Sequence, residues 1–108
     1  MMPSNIISEL QELTQTNRKG VDALYDAEIE LANAENELDK LESKAFLEAQ
    51  GTVADRQALA RLEAADARLA RDIARAKVNR VKTKLRVIES EIMAVATRAK
   101  MTQAEMRL

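Results

Sequence analysis

The chain has 108 residues and is 46% hydrophobic but only 2% aromatic, so it allows one small domain whose core is built from aliphatic side chains. It contains no Cys and no His, which excludes disulfides, Cys-based zinc sites and Ser/His or Cys/His catalysis within one chain. The formal net charge of −1 conceals a division, since residues 1–55 carry 4 basic and 12 acidic side chains and residues 56–108 carry 13 basic and 6 acidic ones.

The first half of the chain has the pattern of a helix that packs along another helix. Ala, Leu, Glu, Arg and Lys make up 60 of the 108 residues, as is typical of coiled coils and long helices. Apolar or small residues recur every three or four positions, with Asn17 the polar exception. They are Ile6, Leu10, Leu13, Asn17, Gly20, Leu24, Ala27, Leu31, Ala34, Leu38, Leu41 and Ala45. Residues 15–20 are polar and end in Gly20, so we expect a short helix over about 4–17, a hinge, and a long helix over about 21–50.

A turn follows at residues 51–54. Gly51 suits the position just after a helix end, and Thr52 with Asp55 three residues later resembles a capping box. A second long helix is then expected over about 55–105. Because the connection is so short, the two helices must fold back antiparallel. The fold class is therefore all-α, a coiled-coil-like antiparallel helical hairpin that forms a single domain over residues 1–108.

The apolar stripe of the second helix changes phase along its length. Its members are Leu59, Leu62, Leu69, Ile73 and then, one residue out of phase, Val78, Val81, Leu85, Ile88, Ile92, Val95 and Ala99. The last part must be covered by residues 6–13 or by another chain. Val21, Tyr25 and Ile29 lie beside the main seam of the first helix, and a hairpin with two apolar faces normally self-associates. We therefore expect a homo-oligomer.

Catalysis is not favoured by the carboxylates, although they are numerous. The pairs Glu28/Glu35 and Glu30/Glu37 lie one heptad apart on a solvated helix flank, with almost no aromatic residues to desolvate them. There is no Gly-rich phosphate loop, no apolar run long enough for a membrane span and no signal-peptide pattern at the N-terminus. The sequence favours a non-enzymatic cytoplasmic protein without a cofactor.

The basic stretch at residues 68–86 is the strongest candidate site. It contains eight bases and one acid, namely Arg68, Arg71, Arg75, Lys77, Arg80, Lys82, Lys84 and Arg86 around Asp72. Such a face attracts nucleic-acid phosphates without reading sequence. Alternatively, folding about Gly51 brings the acidic residues 22–42, including Glu28, Glu30, Glu35, Glu37 and Glu42, opposite Arg75, Lys77, Lys82 and Lys84, so that the charges set helix register. Under this alternative Arg80 and Arg86 remain outward.

Residues 44–60, KAFLEAQGTVADRQALA, resemble the turn of a phage family of helical hairpins. The layout of residues 22–91 is similar to that of UvsY-type recombination mediators, small oligomeric helical proteins. The resemblance implies binding of single-stranded DNA, help to a recombinase in displacing single-strand-binding protein, and a location in the cytoplasm of a bacterial host. Leu41, Ser43 and Lys44 align with a Leu-Ala-Arg-Ser-Lys-like element of that family, so Lys44 joins the candidate DNA contacts, whereas Glu42 departs from the pattern.

Two functions therefore remain open. The first is a phage recombination mediator that arrays the basic residues of several copies along a single strand. The second is a structural or adaptor coiled coil that binds a phage or host protein and uses its charges only for helix pairing.

Overall fold

The computed structural model describes residues 4–107 and confirms the all-α helical hairpin. The first helix, α1, spans Ser4–Glu48; α2 spans Val53–Glu63 and α3 spans Ala65–Arg107. These bounds differ from the predicted ends of the two long helices by two residues at the turn and at the C-terminal end.

The predicted hinge at residues 15–20 is absent, because α1 is one unbroken helix. Gly20 does not break the helix but allows close packing, because a Cβ at this position would lie 2.5 Å from Cδ2 of Leu85. Gly in a helix costs about 1 kcal/mol relative to Ala, and packing of α1 against α3 here outweighs that cost. Thr14 and Thr16 also donate their hydroxyls to carbonyls of the same helix, at Leu10 and Glu12, so both hydroxyls are hydrogen-bonded without interrupting α1.

The turn has the predicted chemistry. Gly51 has φ +112°, and Thr52 and Asp55 form a reciprocal capping box in which Asp55 N–H donates to Thr52 Oγ1 and Thr52 N–H donates to Asp55 Oδ2. A further contact at the turn was not predicted. The Arg56 guanidinium donates two hydrogen bonds to the Phe46 carbonyl, at 3.1 and 3.0 Å, and lies over the Phe46 ring. It supplies donors to an orphan carbonyl at the end of α1.

Replacing Gly51 by Ala is expected to lower the free energy of unfolding by about 1–3 kcal/mol. The positive φ disfavours any Cβ, and that Cβ would also lie 3.0 Å from Oδ2 of Asp55 and strain the capping box. Urea unfolding followed by circular dichroism measures the loss. Gln50→Ala, an exposed neighbour, serves as control and should stay within about 0.5 kcal/mol of the wild type; an equally stable Gly51→Ala protein contradicts the prediction.

The expected single second helix is interrupted once, at Ala64, whose backbone has φ −90° and ψ 8°. Hydrogen bonds from Ala64 N–H to Ala60 and from Arg68 N–H to Ala64 cross the break, so α2 and α3 are closely continuous. Neither Gly nor Pro occurs between residues 53 and 107, so no residue type marks this break in the sequence.

The chain divides into two compact units. The terminal unit combines the segment up to Leu24 with the segment from Arg80 onward, and the turn unit is Tyr25–Asn79. In the terminal unit, Ile6 packs with Val95 and Ala99, and Leu10 and Leu13 cover them. The apolar end of the last helix is thus covered by the first turns of α1, which is one of the two predicted possibilities.

Small residues form the seam of the turn unit. Ala27, Leu38 and Ala45 of α1 are buried as predicted, although Leu41 is exposed. On α2 and α3 the prediction was wrong for the first four members of the stripe: Leu59, Leu62, Leu69 and Ile73 are exposed, and the buried positions are Ala60, Ala64, Ala74 and Val78. Small side chains let helices approach closely, so the alanines face α1 and the larger residues lie outside the seam.

Candidate nucleic-acid interface

The predicted site residues divide between the two units. The turn unit contains Lys44, Arg68, Arg71, Arg75 and Lys77, whereas the terminal unit contains Arg80, Lys82, Lys84 and Arg86. By sequence count the turn unit has 12 acidic and 8 basic residues, while the terminal unit has 6 acidic and 9 basic ones. The excess of positive charge therefore belongs to the terminal unit.

Three of the predicted bases are paired with acids across the turn unit. Lys77 Nζ lies 2.9 Å from Glu30 Oε2 and Arg75 Nη2 lies 3.5 Å from Glu35 Oε1. The third pair joins Arg68 to Glu42, and Arg68 also donates to the Arg61 carbonyl. All six side chains are between three and six tenths exposed, so each pair contributes about 0–1 kcal/mol and mainly fixes helix register.

The structure explains why an acid, Glu42, stands at a position where the Leu-Ala-Arg-Ser-Lys-like element has a different residue. It holds Arg68 across the hairpin, as the charge-pairing interpretation predicts for the acidic flank. Arg71 is also neutralised, since its Nε donates to Asp72 Oδ1 at 2.7 Å. Lys44 is exposed on α1, in the same unit as these four paired bases rather than with the remaining four candidates.

The remaining four bases have no carboxylate within ion-pair distance among residues 4–107, and all are exposed. They are Arg80, Lys82, Lys84 and Arg86. The expected pairing of Lys82 and Lys84 with acids of α1 does not form. Because the helices are antiparallel and Leu85 packs on Gly20, residues 21–23 lie at the level of these two lysines. Asp22 is the one acid there, and it forms no ion pair within the described residues.

Two further cations, which the sequence-based reasoning missed, belong to this group. Arg18 and Lys19 immediately precede Gly20, are exposed, and form no ion pair within the described part of the chain. Because the helices are antiparallel, the contact between Gly20 and Leu85 places them at the level of Arg86 and Val87. We call these six residues the cation belt: Arg18, Lys19, Arg80, Lys82, Lys84 and Arg86. A signal existed in the sequence, because residues 13–21 and 73–88 both lack acids.

The belt extends around α3 rather than along one line. At 100° per residue, Arg80 and Lys84 share one side of the helix while Lys82 and Arg86 share another, and the buried Leu85 lies between the two sides. Such an arrangement can hold several anionic groups at once. Aromatic stacking adds little, since Phe46 is covered by Arg56 and Tyr25 is the second of only two aromatic residues.

Other kinds of site find no support in the described residues. Over residues 4–107 there is no cluster of three or more acidic side chains that could bind a metal ion. In the same range none of the helices combines the length and apolarity that a bilayer crossing requires.

Comparison with protein-family models, with curated proteins and with solved structures finds no match to this chain. The resemblance to UvsY-type mediators stays a prediction that depends on the residues quoted for it.

Proposed function

We propose that this protein binds single-stranded DNA through the cation belt, without sequence specificity, and acts as a phage recombination mediator in the cytoplasm of a bacterial host. The observation that carries the proposal is the set of six exposed cations around Gly20 and Leu85, none of which forms an ion pair with a carboxylate of residues 4–107. Phosphates release counterions when they bind such groups, which makes the association favourable at low salt.

A single strand suits the belt better than a duplex. The four belt residues of α3 lie on two sides of that helix, and a flexible strand can follow cations from one side to the other. A duplex keeps its phosphates on a stiff, regular path. With few aromatic residues to stack on bases, affinity comes from the phosphate backbone and increases when several copies engage one strand.

Fluorescence anisotropy of a labelled oligo-dT strand tests the proposal. If the six belt cations contact phosphates, the affinity should fall about 300-fold between 50 and 200 mM salt, as a slope of about −0.7 per phosphate implies. Absence of binding at about 50 mM salt, or binding that does not change with salt, contradicts it. The mediator role adds a second readout, which is faster release of labelled single-strand-binding protein when this protein and a recombinase are both present.

A coiled-coil adaptor for a phage or host protein is the second candidate. The observation in its favour is that four of the eight predicted bases of residues 68–86 already have acidic neighbours. It predicts a stable complex with another protein and no retention of DNA in the salt titration.

A further inference from the structure

Several large apolar side chains of the turn unit are exposed to solvent. An apolar groove lies at its closed end, between the last turn of α1 and helix α2, where Phe46, Leu47, Ala54, Ala58 and Leu62 line it. Leu47 and Leu62 are 75% and 73% exposed. From Leu62 the apolar surface continues along the next helix through Leu69 and Ile73, because steps of seven and four residues keep the same helix side.

The accessible surface area of the chain is larger than that of a compact monomer of the same mass. It exposes 8225 Å², whereas a compact monomer of 12.0 kDa exposes about 6,000 Å². The difference of roughly 2,200 Å² per chain exceeds the ~800 Å² that each partner buries in a standard interface, and the ~4,400 Å² of two chains lies within the total area that obligate homodimers bury. No large side chain among the described residues is fully buried, so the hairpin alone provides little core.

The groove has the features that contact between two identical surfaces requires. The exposed side chains of Leu47 and Leu62 line the groove together with the small residues Ala54 and Ala58, so the same patch combines large and small side chains, as a self-complementary surface requires. Its charged lining residues are one acid and one base, Glu42 and Arg61. The charges that line the groove therefore cancel, and no residue of the cation belt takes part in the proposed contact.

We infer that the occupant of this groove is a second copy of the chain, which forms a two-fold dimer through Leu47, Leu62 and the adjoining row Leu69–Ile73. The inference concerns the chain alone and does not depend on DNA binding. It assigns self-association to the turn and to exposed residues of α2 and α3, rather than to Val21, Tyr25 and Ile29 of α1, which the sequence indicates.

Analytical ultracentrifugation of the full chain, without DNA, tests this dimer. The wild type should sediment with twice the 12.0 kDa chain mass at micromolar concentration, and Leu47→Glu/Leu62→Glu should sediment as a monomer with unchanged helical content. Met93→Glu/Met101→Glu is the matched control, because Met93 is 71% exposed but belongs to the terminal unit, and this variant should remain dimeric. A monomeric wild type, a dimeric Leu47→Glu/Leu62→Glu variant or a monomeric control overturns the inference.

A second measurement covers the case in which the double variant fails to fold. Since the chain has no Cys, a single Cys at Gln57, which lines the groove, or at Lys100 in the terminal unit can carry a nitroxide in an otherwise unchanged protein. Double electron–electron resonance measures the distance between the nitroxides of two copies. This distance should be shorter for the label at position 57 than for the label at position 100. The reverse order overturns the inference.

Discussion

Replacing Arg80 and Arg86 by Gln is expected to weaken binding of single-stranded DNA about 60-fold at 50 mM salt and to make the salt slope shallower by about 1.4. Each removed cation eliminates one phosphate contact and the counterion release that accompanies it. Helical content and unfolding should change little, because both side chains are exposed and form no ion pair within residues 4–107. Anisotropy titrations at several salt concentrations provide both quantities.

Arg75→Gln/Lys77→Gln is the matched control for this experiment. It removes the same charge from the same helix, but these two bases are already paired with Glu35 and Glu30. Its DNA affinity should fall only by the small amount that screened long-range attraction contributes, and its salt slope should remain that of the wild type. If both variants lose the same affinity, DNA is attracted by the net charge of the whole basic stretch. That result contradicts the assignment of the cation belt as the binding site.

For α1 the sequence was a good guide to packing. The predicted seam positions from Ile6 to Ala45 are all buried or half-buried except Leu41, because spacing of three and four residues defines one helix side whatever the partner is. The error at Gly20 has a physical cause. Propensity scales describe an isolated helix, whereas a missing side chain can also make room for a neighbour, here Leu85, and only the paired structure distinguishes the two uses.

On α2 and α3 the seam was harder to predict. Leu62 and Leu69 are larger and more hydrophobic than Ala60 and Ala64, so hydrophobicity alone assigns the leucines to the core. The structure buries the alanines and exposes the leucines, since two helices that meet at close range need small residues between them. The apparent change of phase in the predicted stripe is explained by two different sides of the helix, one facing α1 and the other exposed.

The candidate site was predictable in part. Antiparallel folding about Gly51 correctly indicated that Arg75 and Lys77 meet acids of residues 22–42, which in the structure are Glu35 and Glu30. It failed for Lys82 and Lys84, because a charge count over residues 22–42 does not say which α1 residues lie at their level. The Gly20–Leu85 contact fixes that level at residues 21–23, where Asp22 is the one acid and forms no ion pair within the described residues.

Replacing Ala64 by Leu is expected to lower the free energy of unfolding by about 1–3 kcal/mol. Ala64 has 0% of its surface exposed and belongs to the small-residue seam, so the added methyl groups have no free volume to occupy. They must displace neighbouring side chains or separate the helices, and separation would weaken the contacts of Ala60 and Ala74 as well. Urea unfolding of the purified variant measures the effect.

Ala70→Leu is the control for this change, because it makes the same substitution on α3 at an exposed position. Helix propensity differs little between Ala and Leu, so the control should unfold within about 0.5 kcal/mol of the wild type. If Ala64→Leu is as stable as Ala70→Leu, the seam has room for large residues. Close packing would then not explain why Leu62 and Leu69 are left outside it, and the separate role inferred for the exposed leucines would lose its structural basis.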